Sequence, residues 1–272
     1  MIFLDKLRAA YKKNNSHVCV GLDSDYDKLP SCVKSSADPQ ALFNEKIIKA
    51  TLNDVCAYKI NIAFYECRGA DGWTSLEKTV CLIPKNIPVI IDAKRADIGN
   101  TSAKYAEAIY KHLNADAITV NPYLGLDAIE PFLKYKDKCA FVLCHTSNPS
   151  SKEFQRVSVI SEETDPNEQL YELVARKVAE WNKIGSCGLV VGANVPEDFQ
   201  KVIAKAPGLP LLIPGIGAQK GDARNVIENV RGSDFIINSS RGIIFSSCED
   251  NFDSIAYEKT IELKSNLNDL LK

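Results

Sequence analysis

The stretch P-V-I-I-D-A-K-R-A-D-I-G-N-T, residues 88–101, decides how the rest of the chain is read. Val89, Ile90 and Ile91 are β-branched, follow a proline, and read as a buried parallel strand. The run then fills with charge. Asp92 and Lys94 are two apart, so on an extended backbone they point to the same side. Asp97 follows after a turn, and Gly99, Asn100 and Thr101 lead into a helical pattern over 102–113. A cation held between carboxylates at the end of a buried strand is costly unless the charges pair. An isolated D-x-K reads first as a strand-end salt bridge, because structural ion pairs are common. Its surroundings decide otherwise.

Working outward, the same unit recurs: a short apolar strand, a polar end, then a helical pattern. Strands are expected at 17–22, 55–60, 89–91, 117–120, 139–144, 187–191, 211–213 and 235–237. Helices are expected at 39–53, 75–83, 102–113, 125–135, 167–184, 195–206, from about 221, and at 253–271, with an opening helix over 3–13. Pro196 suits a first helical turn. Alternation of this kind implies a parallel sheet. Eight units in 272 residues imply an α/β fold closed as a (β/α)8 barrel, one domain over residues 1–272. An open doubly wound sheet is the alternative.

Composition excludes several classes. Net charge is −2, and no block of like charge suggests a nucleic-acid or membrane surface. The nine cysteines are scattered without a CxxC pair, which fits reduced thiols in a cytosolic protein rather than a disulfide framework. The apolar run at the N-terminus is too short for a signal peptide and none approaches membrane-spanning length, so the cytoplasm is the default location.

In such barrels the site lies at the C-terminal ends of the strands. Asp23, Lys59, Asp92, Lys94, Ser147, Gly215, Gly217 and Arg241 all fall there. Scattered salt bridges have no reason to collect at one end, which shifts the reading of D-x-K to a functional site. The last two strand ends read as a phosphate cup. Gly215 and Gly217 let backbone approach a ligand and present N–H groups to an anion. Arg241 adds a permanent charge and a bidentate fork. G-x-G alone is more often a tight turn, and a lone Arg a surface ion pair; their joint placement carries the argument.

D-A-K-R-A-D-I-G-N-T resembles the D-x-K-x-x-D-I-x-x-T signature of the orotidine 5′-phosphate decarboxylase family. G-L-D at 21–23, K-I-N at 59–61, T-S-N-P at 146–149, V-V-G-A-N at 190–194, P-G-I-G-A-Q at 214–219 and the Arg241 segment resemble that family in the same order. The pattern is closest to the branch with bacterial and some protozoal members. The resemblance implies decarboxylation of orotidine 5′-monophosphate to uridine 5′-monophosphate, the last step of pyrimidine synthesis, with no cofactor and no metal. It implies Lys94 as proton donor to C6, Asp92 beside the substrate carboxylate, and Asp23 and Lys59 on the ribose hydroxyls and in the charge array, with Asn61 nearby. It implies a homodimer in which Asp97, Ile98 and Thr101 enter the partner subunit's site. Ser147 matches the position that contacts the pyrimidine, and Gln219 and Arg241 those that hold the phosphate, flanked by Pro214, Gly215, Gly217 and Ser240.

The residue types suit that chemistry. Loss of carbon dioxide leaves an electron pair on C6 that the ring cannot conjugate, and no motif for an electron-sink cofactor is visible. A fixed ammonium kept cationic by carboxylates can stabilise that charge and then protonate it. Either the polar segment 150–165 or the loop after Gln219 is expected as the lid; the former also reads as a surface insertion. His145, where the family often has Lys, is expected to be structural, Cys19 and Cys144 to be buried packing, and Trp73 and Trp181 to pack on helices. Two rivals stand beside this reading: a sugar-phosphate decarboxylase of the same superfamily, and a phosphate-ligand binding protein that kept the fold. The first uses Mg2+ on a strand-two acid, where this chain has Lys59. The second would be expected to have lost Asp92, Lys94 or Arg241. Some relatives carry a fused orotate phosphoribosyltransferase; a separate partner of that kind is the corresponding expectation here.

Overall fold

In the computed structural model, which describes residues 1–160, 168–216 and 223–272, eight parallel strands close into a barrel. They are β1 (Val18–Gly21), β2 (Ala57–Asn61), β3 (Val89–Arg95), β4 (Ala117–Val120), β5 (Cys139–His145), β6 (Cys187–Val191), β7 (Leu211–Pro214) and β8 (Phe235–Ser239). The seam that decides between barrel and open sheet is β8 against β1, and it is made: Val18 pairs with Ile237, Cys19 with Asn238 and Val20 with Ser239. Gly21 is required there. A Cβ on it would lie 2.6 Å from Ser240 Cβ, so only glycine lets the two chain segments meet.

Alternation along each strand sorts the side chains. Cys19, Ala57, Ile90, Ala117, Phe141, Val190, Leu212 and Ile236 form the barrel interior. Helix Phe3–Asn14 plugs the N-terminal end, with Phe3 edge-on to Phe141 at 5.5 Å and Leu7 fully buried. Burying side chains of this size is worth roughly 1.5–3 kcal/mol each. Lys6 to Asp116 and Arg8 to Asp234, both 2.7 Å, tie the plug to the barrel rim. A second, larger core fills the layer between strands and outer helices.

The helices differ from expectation mainly at their ends. The second crossover helix spans Gly69–Leu82 rather than starting near 75, because Gly72 packs on the Tyr65 carbonyl, 1.8 Å from where a Cβ would stand. The helix expected at 167–184 is described from Leu170 to Trp181, started by reciprocal caps from Gln169 and Glu172. The helix after β3, Gly99–Glu107, closes in a π turn, Ala108–His112. The 195–206 segment divides into a 3-10 turn, Pro196–Asp198, and a helix, Phe199–Lys205. The helix expected from about 221 is described from Ala223 to Val230. Cys19 and Cys144 are buried, and Trp73 and Trp181 pack against the outer core as expected. No helix among the described residues is long and apolar enough to cross a membrane.

Candidate active site

A cavity of about 470 Å³ opens at the C-terminal ends of the strands. Its floor follows from the alternation that fills the barrel below. Ala57 and Ile90 are interior, so Lys59 and Asp92, two residues on, face inward one layer higher. Lys59 Nζ lies 3.2 Å from Asp23 Oδ1 and 3.1 Å from Asp92 Oδ2. Lys94 Nζ lies 2.6 Å from Asp92 Oδ1. The four groups therefore form an alternating chain, Asp23, Lys59, Asp92, Lys94. The Lys59 side chain is 5% exposed and that of Lys94 50%, so Lys94 is the ammonium more open to a ligand.

Burial alone would lower the Lys59 pKa, but Asp23 and Asp92 outweigh it and hold the ammonium above its ordinary range. Burial would likewise raise Asp92, and Lys59 and Lys94 outweigh it and hold the carboxylate below its ordinary range. Burial pushes the Cys19 thiol up beneath this layer, which leaves it a packing group.

The opposite wall is assembled from β5 to β8. Pro214, Gly215, Ser240 and Arg241 line it, as does Ser147. Gly215 has φ +106°, a conformation that glycine adopts without strain. Arg241 opens a four-residue helix, Arg241–Ile244, at the end of β8. Gly192 lets β6 approach the loop after β5: a Cβ there would stand 2.7 Å from Ser147 Cβ and 2.8 Å from its nitrogen. Asn194 Nδ2 donates to the Ser147 carbonyl at 2.9 Å. Gly217 and Gln219, and with them the loop expected as one lid, lie outside the described residues.

Other expected residues sit elsewhere. Asn61 is not among the residues that line the cavity: its N–H donates to Asp23 Oδ1 and its Oδ1 accepts from Ala63 N, each at 3.1 Å. Asp97, Ile98 and Thr101 do not line this chain's cavity. Ile98 is 64% exposed, and Tyr123, 85% exposed, follows the neighbouring strand. His145 is buried and stacked on Tyr171 at 4.6 Å, with Nδ1 3.3 Å from Asp198 Oδ2 but not aligned for a hydrogen bond. Burial draws its pKa down against the pull of Asp198.

The described part of the other expected lid, up to Ile160, is tethered. Gln155 Oε1 accepts from Thr146 N at 2.8 Å, and Arg156 Nη2 donates to Asp198 Oδ2 at 2.6 Å. Residues 161–165 of that segment are outside the described ones. Gln155 lines the cavity, as do Thr119 and Asn238, and none of these three was expected. Asn238 is nine-tenths buried, and its Oδ1 has no hydrogen-bond partner among the described residues. Thr119 and Asn238 obey the period-two rule that exposed Asp92, standing two residues from interior Ala117 and Ile236.

The arrangement supplies preorganised charge on the floor of a cleft, faced by a wall that carries the Arg241 guanidinium. The chain is similar to known proteins along nearly its whole length. The profile of the orotidine 5′-phosphate decarboxylase / HUMPS family matches residues 16–250. The orotidine 5′-phosphate decarboxylase of Dehalococcoides mccartyi is 45% identical over 271 residues, 98% of each chain. That of Herpetosiphon aurantiacus is 44% identical over 252 residues, 92% of each. The solved structure of Leishmania donovani OMP decarboxylase superposes with a TM-score of 0.85 at 37% identity, covering 100% of this chain and 99% of that one. Leishmania donovani UMP synthase gives 0.84 at 38% identity; the match covers 98% of this chain, which spans 57% of the synthase.

Proposed function

The chain belongs to the orotidine 5′-phosphate decarboxylase family, and from that premise we propose that it converts orotidine 5′-monophosphate to uridine 5′-monophosphate and carbon dioxide without metal or organic cofactor. The observation that carries the reading is the alternating chain Asp23, Lys59, Asp92, Lys94 on the cavity floor. In this reading the phosphate lies against Gly215 and Arg241, with Gln219 completing its contacts, and the ring lies toward Ser147. The C6 carboxylate then meets Asp92 and Lys94. As the C–C bond breaks, its electron pair stays on C6, and carbon dioxide departs. The Lys94 ammonium stabilises that pair and transfers a proton to C6. Its half exposure gives it a route to recover a proton from solvent.

Lys59 and Asp23 serve the ribose hydroxyls, and Lys59 also holds Asp92 ionised. Binding energy from the phosphate orients the ring and closes the site. Asp97, Ile98 and Thr101 act in the partner subunit of a homodimer. That they miss their own chain's cavity, beside exposed Ile98 and Tyr123, supports this part of the reading. An orotate phosphoribosyltransferase is the matching source of substrate. A sugar-phosphate decarboxylase that holds a divalent metal on a strand-two acid is the weaker reading, since that position is Lys59.

The test is the fall in orotidine 5′-monophosphate absorbance on adding purified protein, with and without EDTA. Rapid conversion that EDTA leaves unchanged is expected. No conversion by folded protein would overturn the assignment, and conversion that EDTA stops would overturn its metal-free form.

A further inference from the structure

We propose that Thr119 is a positioning residue that fixes where Lys94 stands, an inference resting on the decarboxylase reading above. The argument begins with strand register. β3 and β4 pair regularly at Ile90 with Ala117 and Ile91 with Ile118, and pairing resumes at Arg95 with Val120. Between those points β3 carries Asp92, Ala93 and Lys94, whereas β4 carries only Thr119. The extra residues bulge, and a bulge re-aims side chains at the cost of ladder hydrogen bonds. Lys94 lies inside it with φ +49°, the left-handed region that a residue with a Cβ enters only when its surroundings hold it there.

The Thr119 side chain replaces the missing ladder bond. The Lys94 backbone N–H donates to Thr119 Oγ1 at 3.0 Å. That oxygen is thereby an acceptor, so its own hydrogen is free to go to Asp92 Oδ1, 2.8 Å away. Asp92 Oδ1 also accepts from Lys94 Nζ at 2.6 Å. One hydroxyl thus closes a ring that joins the Lys94 backbone, the Asp92 carboxylate and the Lys94 ammonium. Neither Asp92 nor Lys94 can shift without breaking a bond to Thr119. The hydroxyl is the only part of Thr119 with this role: valine has nearly the same shape and supplies neither bond, whereas serine supplies both.

The experiment compares wild type with Thr119→Val, Thr119→Ala and Thr119→Ser in steady-state decarboxylation, with crystal structures of each. In Thr119→Val and Thr119→Ala, kcat is expected to fall about 10- to 100-fold, the equivalent of one lost hydrogen bond to a charged group, while KM stays within about threefold. Thr119→Ser is expected to keep kcat within about threefold of wild type. In the crystals, the two variants without a hydroxyl are expected to show Lys94 out of the left-handed region, or its Nζ beyond about 3.5 Å from Asp92 Oδ1. Wild-type kcat in Thr119→Val or Thr119→Ala, or a Thr119→Ser as impaired as Thr119→Val, would overturn the proposal. So would Lys94 standing unmoved in both hydroxyl-free variants. A wild type without turnover would instead overturn the decarboxylase reading, and the crystal comparison would still judge Thr119.

Discussion

Replacing Lys59 by methionine removes one cation while keeping most of the stem's volume, and the structure sets the size of the effect. The Lys59 ammonium lies 3.2 Å from Asp23 Oδ1 and 3.1 Å from Asp92 Oδ2, almost out of solvent. At an effective dielectric of about 20, each contact is worth about 5 kcal/mol of Coulomb energy, and desolvation of the charges offsets much of it. Removing one partner of a buried network leaves the others uncompensated, which costs about 3–5 kcal/mol. At about 2–4 °C per kcal/mol, the melting temperature should fall by about 6–20 °C.

The pH dependence separates this cause from lost packing. In the wild type the Asp92 pKa is held below its ordinary value, so its stabilisation is fully present above about pH 4 and is lost only as pH falls through the depressed folded value. Lys59 is held above its ordinary value, so its contribution is fully present below about pH 10 and constant from pH 4 to 7. In Lys59→Met, burial of Asp92, the largest influence on it, is opposed only by Lys94 and Thr119, and its folded pKa is expected to rise past the ordinary carboxylate value. The variant then regains stability by taking up a proton as pH falls from 7 toward 4. Urea unfolding followed by tryptophan fluorescence at pH 7, 5.5 and 4 should show the gap to wild type narrowing. A gap below about 1 kcal/mol at pH 7, or one that does not change with pH, would refute the reasoning.

Lys94→Ala is expected to abolish turnover while leaving a cooperative thermal transition; wild-type kcat would remove it as proton donor. Arg241→Ala should weaken binding of uridine 5′-monophosphate by about 10- to 100-fold in calorimetry, and unchanged affinity would remove the phosphate wall. Gly192→Ala forces a Cβ against Ser147 and should raise KM with the fold intact, measured by steady-state kinetics beside a melting curve. If the sites are shared in a homodimer, equal mixing of Lys94→Ala with Asp97→Ala, each inactive alone, should restore about a quarter of wild-type activity through heterodimers with one intact site. No recovery on mixing would confine each site to one chain.

The barrel was legible because its strands are short runs of β-branched residues at regular spacing, each ending in polar residues. Nothing but the seam pairing was needed to exclude an open sheet, and that pairing depends on Gly21, whose need for closeness to Ser240 is a tertiary fact. Helix starts were less legible because their causes are contacts across the chain. Gly69 and Gly72 argue against helix by propensity, yet the helix starts at the first and runs through the second, where Gly72 packs on a carbonyl of the preceding turn. Asn61 adds a contact of the same kind. The resemblance sets it near Asp23 and Lys59, and the structure adds that its Oδ1 accepts from Ala63 N in the turn that follows, which the sequence does not display.

Asp92 and Lys94 were expected on one side because they are two apart on an extended strand. They do meet, but by another route, since the strand leaves regular register and Lys94 adopts a left-handed conformation. Period-two alternation therefore reached the right juxtaposition without the bulge that produces it. The same rule applied to β4 would have selected Thr119, but a neutral residue among apolar neighbours carries no signal until its hydroxyl is seen between two charged groups. A sequence displays the charges of a site because they are costly to bury and stand out from a strand. It does not display the uncharged groups that hold those charges in place, although the direction of the Lys94 ammonium depends on one of them.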